Sequence, residues 1–306
     1  MLKLPAALAL CLALLVPGAA VQAQSVDKTP RIAVMSAFDP EMEALLAATA
    51  DRQTHSQHGI SFTTGTLGGK PVVLVQSGIS MVNAAMTTQM LFDRFAVKSL
   101  VFSGVAGGVD PGLHIGDVSV PQRWGQYLES HIVRQTADGK LAPVGWASLP
   151  YPPMGVIQPS NAYIRRPGKA EPERKFWFEA SADLLALAGK VVPGITLERC
   201  ATKTDCLDRQ PVATVGGNAV SGPAFMDNAA WREYLFATMQ ARVVDMESSA
   251  VALVAEQNGV PFIIFRSVSD LAGADPDENR FRIFLNLAAA NAAKVVTGFV
   301  KAMPAP

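Results

Sequence analysis

Continuous apolar runs alternate along this chain with stretches in which apolar residues recur every three or four positions. That is the pattern of buried strands followed by amphipathic helices. "RIAVMSAF" at 31–38 predicts a strand, and "DPEMEALLAATAD" after it predicts a helix with Pro40 in the first turn. Paired strands are expected at 60–67 and 71–76, joined at "GGK", and then a helix over "SGISMVNAAMTTQMLFDRF". "KSLVFSGVAGG" reads as another buried strand, and "IGDVSVP" as a short one halted by Pro121.

From 122 to about 170 the periodicity dissolves among Pro, Gly and aromatic residues, a stretch longer than an ordinary connection and therefore expected to be a functional loop or lid. Helical spacing resumes over 173–190, and "PVATVGGNAVSG" predicts one or two strands. The last third reads helix ("DNAAWREYLFATM"), strand into helix ("ARVVDMESSAVALVAEQNG"), strand ("VPFIIFRSVSD") and a long terminal helix. Strands alternating with helices predict a three-layer α/β/α fold around a central mixed, mostly parallel sheet. No internal repeat or clear linker divides residues 31–306, so one domain is expected, with an enlarged middle insertion at about 122–210.

The first 23 residues stand apart: one lysine, an apolar run, then small residues at Val21 and Ala23. They read as a cleavable secretory signal, with residues 24–30 as a linker and a periplasmic or secreted mature protein. The apolar run is shorter than the ~20 residues a bilayer needs, so no stable membrane association is expected after cleavage. Export places the two remaining cysteines, Cys200 and Cys206, in an oxidising compartment, and their close spacing in a polar loop predicts a local disulfide. The sequence is 49% hydrophobic with equal numbers of acidic and basic residues, enough for a large core and without the basic footprint of a nucleic-acid binder. A small neutral or zwitterionic ligand is expected instead. No metal site is expected: the cysteine pair lacks further ligands, and His55 with His58 in "HSQH" reads as a solvated loop.

Candidate chemistry gathers where strands end. "IAVMSAFDPE" reaches Glu41, "VVDME" reaches Asp245 and Glu247, and "IIFRSVSD" carries Arg266 and ends on Asp270. In sheets of this kind ligands bind beyond the carboxyl ends of strands, which would bring these groups to one crevice. Singly, each acid is as readily explained as a helix cap or first-turn residue. The glycine-rich turns "SGIS" and "SGVAGG" add places where bare backbone can approach a ligand. The spacing of "SGVAGG" is not that of a dinucleotide fingerprint, and there is no G-x-S-x-G, H-E-x-x-H or phosphate-loop motif. No cofactor is expected.

"AFDPEMEALL", "SGVAGGVDPGLHIGDVSVP", "VSGPAFMDN" and "VVDMESSAVALVAEQNGVPFIIFRSVSD", in this order, resemble the nucleoside phosphorylase and nucleosidase superfamily, above all the methylthioadenosine/S-adenosylhomocysteine nucleosidases. "VPQRWGQY" is similar to the secreted plant bark and vegetative storage proteins. The resemblance implies cleavage of the N-glycosidic bond of a purine nucleoside. It implies that Glu41 activates water, Glu247 grips the ribose hydroxyls, Met246 lies under the sugar and Asp270 protonates the purine at N7. It places Arg266 and Ser77 near the water and Phe225 with Met226 around the base. Such a reaction passes through an oxocarbenium-like sugar, so it needs an acid for the departing base and anionic groups near the developing cation. Asp270 would hold its proton through burial at a strand end, or share it through Ser269.

Two departures bear on base preference: the family's "EME" is "DME" here, and the aspartate of its "SGD" is Pro223. Phosphorolysis would need arginines in "SAFDPEMEA" or "SGISMVNAA", and there are none, which favours water as nucleophile. Phosphorolysis, and a non-catalytic secreted nucleoside-binding or storage protein on the same scaffold, are the alternatives. The aromatic and proline residues of 124–177 have no period that would bury them within one chain. They are expected to form a lid and the interface of a homodimer, limiting the 5′ substituent.

Overall fold

The computed structural model describes residues 26–146, 149–166, 168–203 and 205–306. The expected secretory segment at 1–23 lies outside them. Residues expected as linker are already part of the fold: the first strand is Asp27–Ser36, and Asp27 pairs with Phe95.

The main sheet has 12 strands. Its centre is the strand Phe95–Gly108, which runs parallel to Asp27–Ser36 on one side and to Phe262–Asp270 on the other. The last residues of Phe95–Gly108 also pair antiparallel with Ala241–Asp245, through Gly107 to Val244 and Gly108 to Val243. Beyond Asp27–Ser36 follow Lys70–Gln76, Ile60–Leu67 and Ala50–Gln57, the last three as an antiparallel meander. Beyond Ala241–Asp245 come Asn218–Ser221, Arg123–Gln126 and Trp177–Glu179. The sheet is thus mixed, as expected, and its central strands leave their carboxyl ends on one edge.

Six α-helices are described: α1 (Asp39–Ala47), α2 (Met81–Arg94), α3 (Ala182–Val191), α4 (Ala229–Met239), α5 (Ser248–Gln257) and α6 (Phe281–Ala302). Alternation along the strands sorts them into two layers. Ile32, Val34, Val101 and Ile263 pack with Leu45 of α1 and Val296 and Phe299 of α6. Ala33, Met35, Leu100 and Ile264 pack with Leu91 of α2 and Val251 of α5 on the other face. α6 is long and apolar enough to cross a membrane, but most of its surface is buried in this core.

Three expectations change. α1 ends at Ala47, and His55 lies in the strand Ala50–Gln57, paired with Phe62, instead of in a loop. Helix over 173–190 shrinks to α3, because 173–179 is drawn into strands, Phe178 pairing with Trp124. The segment 122–210 is largely integral to the domain: Trp124, Tyr127 and Phe178 are fully buried within this chain. Trp146 and Tyr163 remain exposed, so most of the aromatic surface expected for a lid or interface is core packing.

Candidate active site

The strand-end acids do meet. A cavity of about 290 Å³ lies beyond the carboxyl ends of Phe95–Gly108, Ala241–Asp245 and Phe262–Asp270, lined at one end by Glu41, Asp245 and Glu247 and at the other by Phe225, Met226 and Phe281. Met246 lies in its wall between them in the chain's order, and Ser269 and Asp270 line it too. The site therefore has an ionic end and an apolar end, with a buried carboxyl on the apolar side.

Each group of the ionic end stands where a strand turns into a helix and is held partly by its own turn and partly by segments distant in sequence. Glu41 sits in the first turn of α1, two residues after Asp39, where the chain leaves its strand. Its Oε2 accepts the Ala37 N–H at 2.6 Å and its Oε1 the Val105 N–H at 2.9 Å. Burial pushes its carboxyl above the usual range, opposed by Arg266. Glu247 precedes α5, and its Oε1 accepts the Ser80 N–H at 2.8 Å. Burial, then the nearby Asp245 charge, raises it to about 7. Asp245 is enclosed by hydroxyls: Ser221 Oγ donates to Oδ1 at 2.5 Å and Ser248 Oγ to Oδ2.

Arg266 ties these acids together from behind the cavity wall. It is fully buried, with Nε 2.7 Å from Asp245 and its two Nη atoms 3.7 Å from Glu41 and from Glu247. Its guanidinium stacks 4.2 Å over the Phe102 ring. Gly104 makes this possible, since a Cβ there would lie 1.7 Å from Arg266 Nη1. The expectation that "SGVAGG" bares its backbone to a ligand is thus corrected at Gly104, which makes room for an arginine.

At the other end Asp270 closes its strand. Its Oδ1 accepts the Ala272 N–H at 3.0 Å and Asn279 Nδ2 at 3.3 Å, and Oδ2 accepts Ser269 Oγ at 2.9 Å. Burial raises its pKa and these donors oppose the rise. Phe225, though half exposed, meets Phe281 edge to face at 5.5 Å. No group of three or more His, Cys, Asp or Glu with metal-holding geometry occurs among the described residues.

Of the residues singled out in the sequence, Glu41, Met246, Glu247, Phe225, Met226, Ser269 and Asp270 line this cavity. Arg266 supports it without lining it. Ser77 lines a neighbouring depression that shares Phe38 and Ile79 with the cavity, and its Oγ donates to the Gly78 carbonyl at 2.8 Å. Cys200 and Cys206 form the expected disulfide, remote in sequence from every cavity residue. Sequence reasoning missed Phe281 and Asn279, which carry no motif, and gave no role to Phe38 in "AFDPEMEALL" or to Ser80 in "SGIS"; all four gain meaning only from the segments that bring them in.

A three-layer α/β/α fold with acids converging on strand ends beside an aromatic clamp defines a class, and the sequence agrees: the profile of the phosphorylase superfamily matches residues 31–301, and the chain belongs to that family. Within it, the chain is 30% identical over 278 residues to the 5′-methylthioadenosine/S-adenosylhomocysteine nucleosidase of Bacillus cytotoxicus, spanning 89% of this chain and 98% of the relative. It is 27% identical to bark storage protein B of Populus deltoides, over 88% and 83% of the two chains. Among solved structures it resembles the Neisseria meningitidis nucleosidase of the same name in complex with methylthio-immucillin-A, at 28% identity, a TM-score of 0.65, and 89% and 99% coverage.

Proposed function

We propose that the protein hydrolyses the N-glycosidic bond of an adenosine-type purine nucleoside, releasing free base. The observation that carries this reading is the single cavity with opposed ends: Glu41, Glu247 and Arg266 grouped at one, and a buried Asp270 beside Phe225, Met226 and Phe281 at the other. The purine lies between the aromatic rings with N7 toward Asp270, and the sugar rests over Met246 with its hydroxyls on Glu247. Asp270 gives its proton to N7 as the bond from the anomeric carbon to N9 breaks. Water held by Glu41 attacks that carbon, its proton passing to Glu41, so that base and free sugar leave. The raised carboxyl of Asp270 suits a group that must carry a proton near neutral pH.

Phosphate would approach three carboxylates, and the arginine among them is already engaged with all three. Water is therefore the nucleophile in this reading. The similarity to a storage protein favours a second reading, a nucleoside binder with little turnover. Incubation with adenosine, inosine and methylthioadenosine, with and without phosphate, separates these outcomes. Release of free base independent of phosphate is expected. Phosphate dependence with formation of a sugar 1-phosphate, or tight binding without release, would overturn hydrolysis.

Export and a homodimer belong to the same proposal. The Cys200–Cys206 disulfide fits an oxidising compartment. Ile79, Val82 and Met86 expose apolar side chains at the start of α2, and Ile79 also lines the cavity, so a second copy on this face would sit beside the 5′ end of the sugar. Light scattering should give twice the mature mass, and intact-mass analysis of native material should show both thiols blocked until reduction.

A further inference from the structure

Two loops close the apolar end of the cavity: 222–228 after the strand Asn218–Ser221, and 271–280 between Asp270 and α6. They touch directly in two ways, and the first loop also meets the first residue of α6. The Asn228 N–H donates to the Ala272 carbonyl at 3.2 Å, Phe225 meets Phe281, and Asn279 Nδ2 donates to Asp227 Oδ1 at 3.1 Å. The same Nδ2 reaches Asp270 Oδ1 at 3.3 Å, while Asn279 Oδ1 accepts the Phe281 N–H at 2.9 Å. A carboxamide nitrogen carries two hydrogens. Asn279 thus divides them between a carboxylate on the facing loop and Asp270 itself, and its orientation is set by the backbone bond on its oxygen.

The two oxygens of Asp270 are consequently unequal. Oδ1 receives two donors that cannot accept in return, Ala272 N–H and Asn279 Nδ2. Oδ2 meets Ser269 Oγ, which has a second acceptor in reach, the Ala106 carbonyl at 3.3 Å. When Asp270 is ionised, Ser269 donates to Oδ2. When Asp270 carries a proton on Oδ2, the Ser269 hydrogen turns to Ala106. A proton on Oδ1 would face two hydrogens head on.

We propose that Asn279 is a positioning residue that confines the proton of Asp270 to Oδ2 and, through Asp227, makes delivery of that proton depend on the two loops being closed together. The proposal rests on Asp270 being the acid of the reaction described above. Asp275, Asp277, Glu278 and Arg280 share the loop with Asn279, and Asp227 faces it. Arg232 of α4 donates to the Gly108 carbonyl beside the strand end, and Glu41, Asp245, Glu247 and Arg266 lie at the far end of the cavity. The neighbouring part of Phe95–Gly108 brings only alanine and glycines.

The test compares pH profiles of kcat and kcat/KM on adenosine for the wild type, Asn279→Ala, Asn279→Leu and Asp270→Asn. Removing a donor from a carboxylate raises its pKa, so in Asn279→Ala the alkaline limb should move up by roughly 0.5 to 1 pH unit. Its kcat at neutral pH should fall about tenfold, with KM within about threefold, the range of a misplaced proton donor. Asn279→Leu, which keeps most of the side-chain bulk but no donor, should move the limb the same way, and keeps the proposal testable if Asn279→Ala does not fold. Lower activity with an unmoved limb in both variants would make Asn279 a packing residue and overturn the proposal. An active Asp270→Asn would instead remove the reading on which it rests, whereas an inactive one beside unaltered profiles in the other two would remove Asn279 alone.

Discussion

The ionic and apolar ends of the cavity are built to different standards of rigidity. At the ionic end every polar group is buried, Arg266 contacts three acids, and the supports are strands and helix starts: Asp27–Ser36 into α1, Ala241–Asp245 into α5, and Phe95–Gly108. At the apolar end two loops meet through single hydrogen bonds and one ring contact, and Phe225 stays half exposed. The contrast fits a division of labour in which sugar and water are held in a fixed frame and the base is admitted by loops. It also shows what one arginine does among three acids: burial pushes two of those carboxyls upward, and Arg266 opposes the rise at both.

The contrast breaks most visibly if the arginine is removed. Arg266→Met leaves buried carboxylates without their cation and is expected to destabilise the fold by about 3–5 kcal/mol in denaturant unfolding. An unaltered midpoint would mean that the acids are balanced by protons alone. Asp270→Asn addresses the other end: turnover of a purine nucleoside should fall by at least ~10², with ligand affinity within about tenfold and the unfolding midpoint little moved. Retention of more than about a tenth of the rate would strip Asp270 of its role.

A third measurement uses the raised carboxyl of Glu247. Its folded pKa of about 7 exceeds the ordinary value of 4.5, so the folded state binds more protons between these values. The contribution of this group to stability is full below about 4.5 and is lost as pH rises through about 7. Thermal midpoints should therefore rise as pH falls from 7 toward 5, and Glu247→Gln should flatten that slope in part, since Glu41 and Asp270 are raised as well. A steeper slope in the variant would contradict the assignment.

The smallest effect concerns Ser80, which holds φ 76° and ψ 160°, a backbone region nearly reserved for glycine, while its N–H donates to Glu247. Ser80→Gly relieves that strain against a larger loss of backbone entropy, for a net gain of about 1 kcal/mol with activity retained. A loss of stability would show that the side chain matters more than the backbone.

The strand-end acids and the layered fold were legible because long apolar runs interrupted by single acids are a local signal, and strands such as Phe262–Asp270 are buried along their whole length. The last two strands at one end of the sheet were not legible. Arg123–Gln126 and Trp177–Glu179 are too short to show a period, and Trp124 is buried by Phe178 and its neighbours, far along the chain. Asp245 looked like one more acid of the ionic end, yet its setting depends on Ser221 and Ser248, contributed by a different strand and by α5. Asn279 stands in a polar loop with nothing in its neighbours to mark it. Such residues acquire their roles from contacts between loops that no window of sequence contains.

The fourteen-residue strand Phe95–Gly108 has a further consequence. It is hydrogen-bonded to Asp27–Ser36 and Phe262–Asp270 along most of its length and to Ala241–Asp245 at its end, so both flanks of the cavity are sewn to one continuous piece of backbone. A hinge between the flanks would have to tear ladder bonds from the central strand of the sheet. Ligand exchange must therefore proceed by local opening at 222–228 and 271–280 while the frame stands still. Amide exchange should divide accordingly, fast in those two loops and slowest at 100–106, whether or not a nucleoside is bound.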